Sequence, residues 1–366
     1  MGHLVIVLSR ALDKESHIVD KGFHVYRIRN RWNLSHRRFF WRFQRYLTGY
    51  RVAVAGKLDE LVQQYHIDVV ESPEIYADLL FYQLTRKARP AIVIKLHTPR
   101  WLVDKLAGNR PALWNRLEYL AERMTIKNAD AVYSCSRALL GACEDLLPKR
   151  DYPVVYNPMA IPEGLPARED NGKKVLFVGR LEWQKGVQYF GREIPSVLKR
   201  VEDARFTFLG PDSSWHGGDS LRNYILSQVP EGMRHALSFP GGVSRQEVLD
   251  NLRKASVVVL PSLWDNFPYT CLEAMACGCA VVGSKKGGMA EMMEDCVSGI
   301  LVDPEKPGEI SEAIVDLLRD DEKRHRLGQN AAKRIKNIFE LTVIVKQTID
   351  VYQKALLIHN RKTAKE

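Results

Sequence analysis

The sequence predicts an α/β protein of two domains, each a mostly parallel sheet with crossover helices. Three observations carry this. The chain has 366 residues, more than one hydrophobic core usually serves. Short β-branched and aromatic runs alternate with longer amphipathic stretches, which is the signature of βαβ units. The alternation halts at a Pro- and Gly-rich segment, Asn157 to Pro166, and then starts again.

In the first series, strands are expected at Leu4–Leu8, His24–Ile28, Val69–Val70, Ile92–Leu96, Ala131–Ser134 and Val154–Tyr156. Arg51–Tyr65 and Arg116–Lys127 read as helices between them. In the second, strands are expected at Val175–Val178, Arg205–Leu209, Leu237–Phe239, Val257–Leu260, Ala280–Val282 and Gly299–Val302. The helices are Val187–Arg200, Arg245–Lys254, Thr270–Ala276 and Pro307–Arg319, and a tail helix runs from Leu327 to about Ile358. The expected organisation is a domain over residues 1–160, a linker over 161–172, a second domain over 173–340, and a C-terminal helix over 341–366 that packs back toward the first domain. Gly and Pro cluster at strand ends of the second series, as in Gly179-Arg180, Gly210-Pro211 and Pro261-Ser262. Open α/β sheets bind ligands beyond the carboxyl ends of their strands, so these loops are where a site is sought.

Hydrophobic content of 45% and charged content of 27% are ordinary for a soluble globular protein. No apolar run reaches the roughly 20 residues that span a bilayer. The opening, Met1 to Leu8, lacks a basic lead and a small-residue cleavage site, so it reads as a strand and not as a signal peptide. The six cysteines (135, 143, 271, 277, 279 and 296) form no paired CxxC pattern. They read as small buried fillers of a protein kept in a reducing, cytoplasmic setting, with metal or redox chemistry, for which Cys277-Gly278-Cys279 is a lone CxC, as the alternative. The formal net charge is +10 and uneven. Residues 1–160 carry 25 Lys+Arg against 16 Asp+Glu, a net of +9, and the remainder carries 29 against 28. The first domain is therefore the one that faces an anionic partner.

Three constellations carry chemistry. Val178-Gly179-Arg180-Leu181-Glu182-Trp183-Gln184-Lys185-Gly186 ends a buried strand and opens a helix, placing two cations where backbone N–H groups also favour an anion. Arg grips phosphate oxygens in a bidentate way and Lys adds a point charge; two plain surface cations are the simpler alternative. The second follows strand Val257–Leu260 and runs from Pro261 to Gly278. Asp265 or Asn266 is expected to cap the helix, with Pro268 in its first turn. Glu273, further along that helix, has a carboxylate that can accept two hydrogen bonds from a vicinal diol. A plain cap and a solvated helix position are the alternatives. The third, Val282 to Glu291, holds the pair Gly287-Gly288, which lets backbone approach a ligand or simply makes a turn.

Taken in order, GR-LEWQ-KG, then DNFPYTCLEAMACG, then GSKKGGMAE and SGILVDP resemble the retaining glycosyltransferases of family 4, which have the GT-B fold of two Rossmann-like domains. The resemblance is most specific over residues 175–303. It implies that Arg180 and Lys185 hold the diphosphate of a nucleotide-sugar donor and that Glu273 binds the ribose. It places Asp265 at the first acid of an E-x7-E pattern, near the transferred sugar, where the family often has Glu. Gly179, Asn266, Phe267 and Pro268 lie beside the donor, and Gly242 and Val243 border the base. His97, after a strand, matches the family's histidine at the interdomain cleft. No metal or other cofactor is implied, UDP is the expected carrier, and a glycan or lipid-linked molecule is the expected acceptor in polysaccharide or cell-envelope synthesis. Where the family opens with a strand, a Gly-rich loop and a helix, Gly2-His3-Leu4-Val5 stands at the start of this chain, so the first domain reads as shortened. A pseudoenzyme that binds nucleotide or glycan, and a GT-B sugar-nucleotide epimerase, are the alternative readings.

Residues Arg27 to Arg51 hold eight arginines and no acid, interleaved with Trp32, Phe39, Phe40, Trp41, Phe43 and Tyr46. The segment suits an anionic membrane surface, as on the inner face of a cell membrane, or a polyphosphate-linked acceptor. An amphipathic helix packed on its own core is the alternative. No nucleic-acid-binding signature accompanies it.

Overall fold

The computed structural model describes residues 2–29, 49–110, 112–149, 151–160, 168–170, 172–213 and 220–364. Most of the basic aromatic segment (30–48) and most of the expected linker (161–167 and 171) lie outside the described residues. Two compact units result. Unit 1 comprises residues 1–134, 142–153 and 349–366, and unit 2 comprises 135–141 and 154–348.

Among the described residues, unit 1 contains two three-stranded sheets. In the first, β1 (Ile6–Arg10), β2 (Ser16–Asp20) and β3 (Phe23–Ile28) lie in the order β1-β3-β2, with β1 parallel and β2 antiparallel to β3. The second, β4 (Val69–Pro73), β5 (Ala91–Leu96) and β6 (Ala131–Ser134), is parallel with β5 in the middle. The run Ala91 to Ile94 is wholly buried, which explains its unbroken apolar sequence. Buried Asp130 ties this sheet to the C-terminal part of unit 1. It accepts hydrogen bonds from Arg89 at 2.7 Å, from the Ile92 N–H at 2.9 Å and from Lys362 at 3.0 Å, and His359 lies 3.3 Å away. Burial alone would raise its pKa, but these donors prevail and hold the carboxyl low.

Unit 2 is built on one parallel six-stranded sheet of order β12-β11-β10-β7-β8-β9. Its strands are β7 (Lys174–Val178), β8 (Arg205–Leu209), β9 (Leu237–Gly241), β10 (Val257–Leu260), β11 (Ala280–Ser284) and β12 (Ile300–Val302). From β7 the chain winds outward through β8 and β9, then returns to the other side of β7 with β10. The strand order therefore reverses between β7 and β10, and their carboxyl ends flank the place where such sheets open a ligand crevice. Phe177, Phe190, Phe206, Phe208, Val257 and Val259 fill the core under one face.

Several expectations shift. β2 was not foreseen, because Ser16-His17-Ile18-Val19-Asp20 has polar ends and one buried-type pair. Val154–Tyr156 forms no strand. The tail is not one helix: Asp321–Arg334 passes into a π-helical turn, Ile335–Phe339, and a new helix, Leu341–Thr363, follows. Glu340 has extended backbone, and its carboxylate accepts the Thr342 N–H at 2.8 Å, which restarts the helix. Five of the six cysteines are buried, and burial pushes the Cys277 and Cys279 thiols up to about 11 and 12. They behave as fillers.

Candidate donor site

The loops after β7 and β10 are locked together. The Leu263 N–H donates to the Gln184 carbonyl at 2.9 Å. Gly186 has φ +69, and a Cβ there would stand 1.8 Å from the Pro261 carbonyl oxygen. Only glycine fits both the backbone and the space. On the other side, the Leu181 N–H donates to Pro211 at 2.9 Å and the Gly179 N–H to Leu209 at 2.9 Å. The loops after β7, β8 and β10 thus form one continuous rim.

The charged residues on this rim meet in pairs. Lys185 Nζ lies 2.8 and 3.0 Å from the two carboxylate oxygens of Asp265. Arg180, 64% exposed, lies 2.6 Å from Glu182. Glu273, 17% exposed, lies 3.3 Å from Arg245, which is 75% exposed. Burial raises the pKa of Glu273 and Arg245 works against that rise. Arg245 opens the helix that follows β9, exposed Gly242 and half-buried Val243, so its side chain links that segment to Glu273.

The segment from Pro261 to Pro268 is held from behind. The buried Phe267 ring stacks on Tyr156 at 4.9 Å and meets Phe339 edge-on at 5.4 Å. The Phe267 carbonyl accepts from Asn157 at 3.1 Å. Gly288 donates its N–H to the Asp265 carbonyl at 2.8 Å, and a Cβ on it would lie 1.5 Å from the Asn266 carbonyl oxygen. The Gly287-Gly288 pair therefore braces this loop by close backbone contact. Glu291 accepts the N–H groups of Arg137 at 3.0 Å and Ala138 at 2.8 Å, so it is an anchor for the helix Arg137–Ala142.

One expectation is corrected. Neither Asp265 nor Asn266 caps the helix that carries Glu273. That helix runs Tyr269–Ala276 with Pro268, not Asp265 or Asn266, in the cap position, and Pro268 makes no side-chain cap bond. The extended backbone of Pro268 starts the helix at Tyr269, too far from Asn266 for a side-chain cap to reach. Asn266 Oδ1 accepts instead from the Trp264 indole at 2.9 Å, and Asp265 turns to Lys185.

His97 belongs to unit 1, at the carboxyl end of β5. Its backbone N–H donates to both oxygens of Glu74, at 3.0 and 2.8 Å. His97 is exposed to solvent, yet desolvation by the protein packed around its imidazole, then the neighbouring Lys95 ammonium, hold that imidazole below the usual pKa. Nearby Glu122 accepts the N–H groups of Arg100 at 2.9 Å and of Tyr76 at 3.2 Å. Glu74 and Glu122 are wholly buried, and burial pushes their pKa values up to about 7 and about 8. Arg51, from the end of the basic segment, donates to the Tyr76 carbonyl at 2.7 Å. Sequence reasoning missed Glu74, Glu122, Tyr156, Asn157 and Arg245. Only the Ser244-x-x-Glu247 capping box, which encloses Arg245, gave a local signal, and it marks a helix start and not a site.

Two family models match, "Glycosyl transferase 4-like domain" over residues 1–158 and "Glycosyl transferases group 1" over residues 166–334. The chain belongs to the group 1 glycosyltransferases. An uncharacterized glycosyltransferase of Methanocaldococcus jannaschii is 34% identical over 194 residues, covering 53% of this chain and 48% of that protein. Spore coat protein SA of Bacillus subtilis is 31% identical over 211 residues, covering 54% and 55%. The chain thus spans about half the length of the curated relatives it matches. Among solved structures, sucrose-phosphate synthase from Thermosynechococcus elongatus aligns with a TM-score of 0.73 at 19% identity, covering 96% of this chain and 89% of that one. Anabaena HepE in complex with UDP aligns with a TM-score of 0.69 at 16% identity, covering 96% and 100%. These two establish the GT-B fold class for this group 1 chain.

Proposed function

We propose that this chain transfers a sugar from a nucleoside diphosphate donor to a hydroxyl acceptor, with retention at the anomeric carbon. The observation that carries the reading is the rim at the β7–β10 reversal, where Lys185, Asp265 and the loop of Arg180 converge. In the reaction the anomeric carbon–oxygen bond to the diphosphate breaks and the acceptor oxygen bonds to the same face of that carbon. The acceptor's proton leaves to the departing diphosphate. Arg180, Lys185 and the amides around Asn266–Pro268 stabilise the charge that develops on the leaving oxygens, in place of a divalent metal. Glu273 holds the ribose, and Gly242 and Val243 border the base. His97 orients the sugar or acceptor.

UDP is the first carrier to test, in keeping with the UDP bound to the structurally similar HepE. A glycan or lipid-linked acceptor is favoured by the basic first half of the chain, and Arg27 to Arg51 suits an anionic membrane surface at the cytoplasmic face. Among the described residues no helix is long and apolar enough to cross a membrane.

A thermal-shift panel of UDP-, GDP- and ADP-sugars identifies the donor, since a ligand stabilises the state it binds. With that donor, Arg180→Ala or Lys185→Ala is expected to slow transfer by roughly 100- to 1,000-fold. Turnover within threefold of the parent would refute the phosphate role.

A further inference from the structure

The cations assigned to the diphosphate are already engaged by acids of the same rim. The Lys185–Asp265 contact is the more buried of these and the one that engages both carboxylate oxygens. Its ammonium meets both oxygens of one carboxylate, and the side chains are only 25% and 19% exposed. The Asp265 backbone is fixed as well, through its carbonyl bond from Gly288 and the close approach of Gly287. The carboxylate thus cannot simply drift away with its loop. A phosphate that takes Lys185 takes it from Asp265.

We infer that the Asp265 carboxylate competes with phosphate for Lys185 and so weakens the hold of this site on a diphosphate. The inference rests on the proposed donor site. When phosphate oxygens engage Lys185, the Asp265 carboxylate loses its cation and is left near a dianionic group, at a Coulombic cost. The exchange therefore weakens retention of the nucleoside diphosphate product.

The sign of one measurement tests this. Inorganic pyrophosphate is titrated calorimetrically into the parent chain, Asp265→Asn, Lys185→Ala and the double variant. Thermal unfolding of each confirms the fold. Asp265→Asn is nearly isosteric and removes the competing charge, so it is expected to bind pyrophosphate roughly threefold to tenfold more tightly than the parent. Lys185→Ala is expected to bind it more weakly, and adding Asp265→Asn to Lys185→Ala is expected to give less than half the tightening seen in the parent background. If Lys185→Ala weakens binding but Asp265→Asn leaves it unchanged or weakens it, the competition is overturned and the donor site stands. If Lys185→Ala leaves pyrophosphate affinity unchanged, the donor-site reading itself fails.

Discussion

Asp170 in unit 2 and Glu74 in unit 1 are both buried carboxylates, and they are held in opposite ways. Asp170 accepts from the buried Arg324 guanidinium at 2.8 Å and from the Gly172 N–H at 2.8 Å. Burial works to raise its pKa, but its hydrogen bonds and the guanidinium charge keep the carboxyl low. Glu74 is held by neutral backbone N–H groups, and there burial prevails and raises it to about 7. Asp130 shows that the rule follows the partner and not the unit. It lies in unit 1, has Arg89 and Lys362 as donors, and stays low. A buried acid remains charged at neutral pH where a cation is built beside it, and among the described residues the two acids behind the His97 segment have none among their hydrogen-bond donors.

The largest test of this contrast removes the cation. Arg324→Met removes the fully buried partner of Asp170 and leaves it only the longer contact with Arg168, at 3.4 Å, so unit 2 is expected to lose about 3 kcal/mol, measured by denaturant unfolding. The second test varies pH. Glu74 and Glu122 have folded pKa values above the ordinary carboxylate value, so the folded state prefers them protonated. Their contribution is full below about pH 4 and is lost as pH rises through about 7 and about 8. Unit 1 is therefore expected to lose a few kcal/mol of stability between about pH 5 and 8. Glu74→Gln and Glu122→Gln should flatten that slope, and an unchanged slope in the double variant would contradict the assignment. Asp170 has the opposite sign, with stability lost only as pH falls below the ordinary aspartate range. A smaller effect concerns backbone fit. Gly288→Ala pushes a Cβ into the Asn266 carbonyl and is expected to cost about 1–3 kcal/mol, while weakening nucleotide binding because the loop of Asp265 must shift.

Much of unit 2 was legible because its signals are local. Val175–Val178 and Val257–Leu260 are apolar runs bounded by Gly or Pro, and the strands fall there almost to the residue. Arg180, Lys185 and Glu273 stood out because each follows such a strand at a spacing that ends in a helix. What was not legible depends on long-range partners. The stacking of Phe267 between Tyr156 and Phe339 joins residues far apart in the chain. The pairing of Arg245 with Glu273, and the bonds from the His97 segment to Glu74, leave no periodic trace. The cap expected of Asp265 failed for a similar reason, since local chemistry allowed it and a lysine 80 residues away won the side chain.

A crystal structure of the chain with bound UDP tests the central claim most directly. The expected result has the diphosphate at the β7–β10 reversal, with Arg180 and Lys185 within about 3 Å of its oxygens and the ribose hydroxyls on Glu273. A diphosphate bound elsewhere, or bound there with Lys185 still on Asp265, would contradict the account.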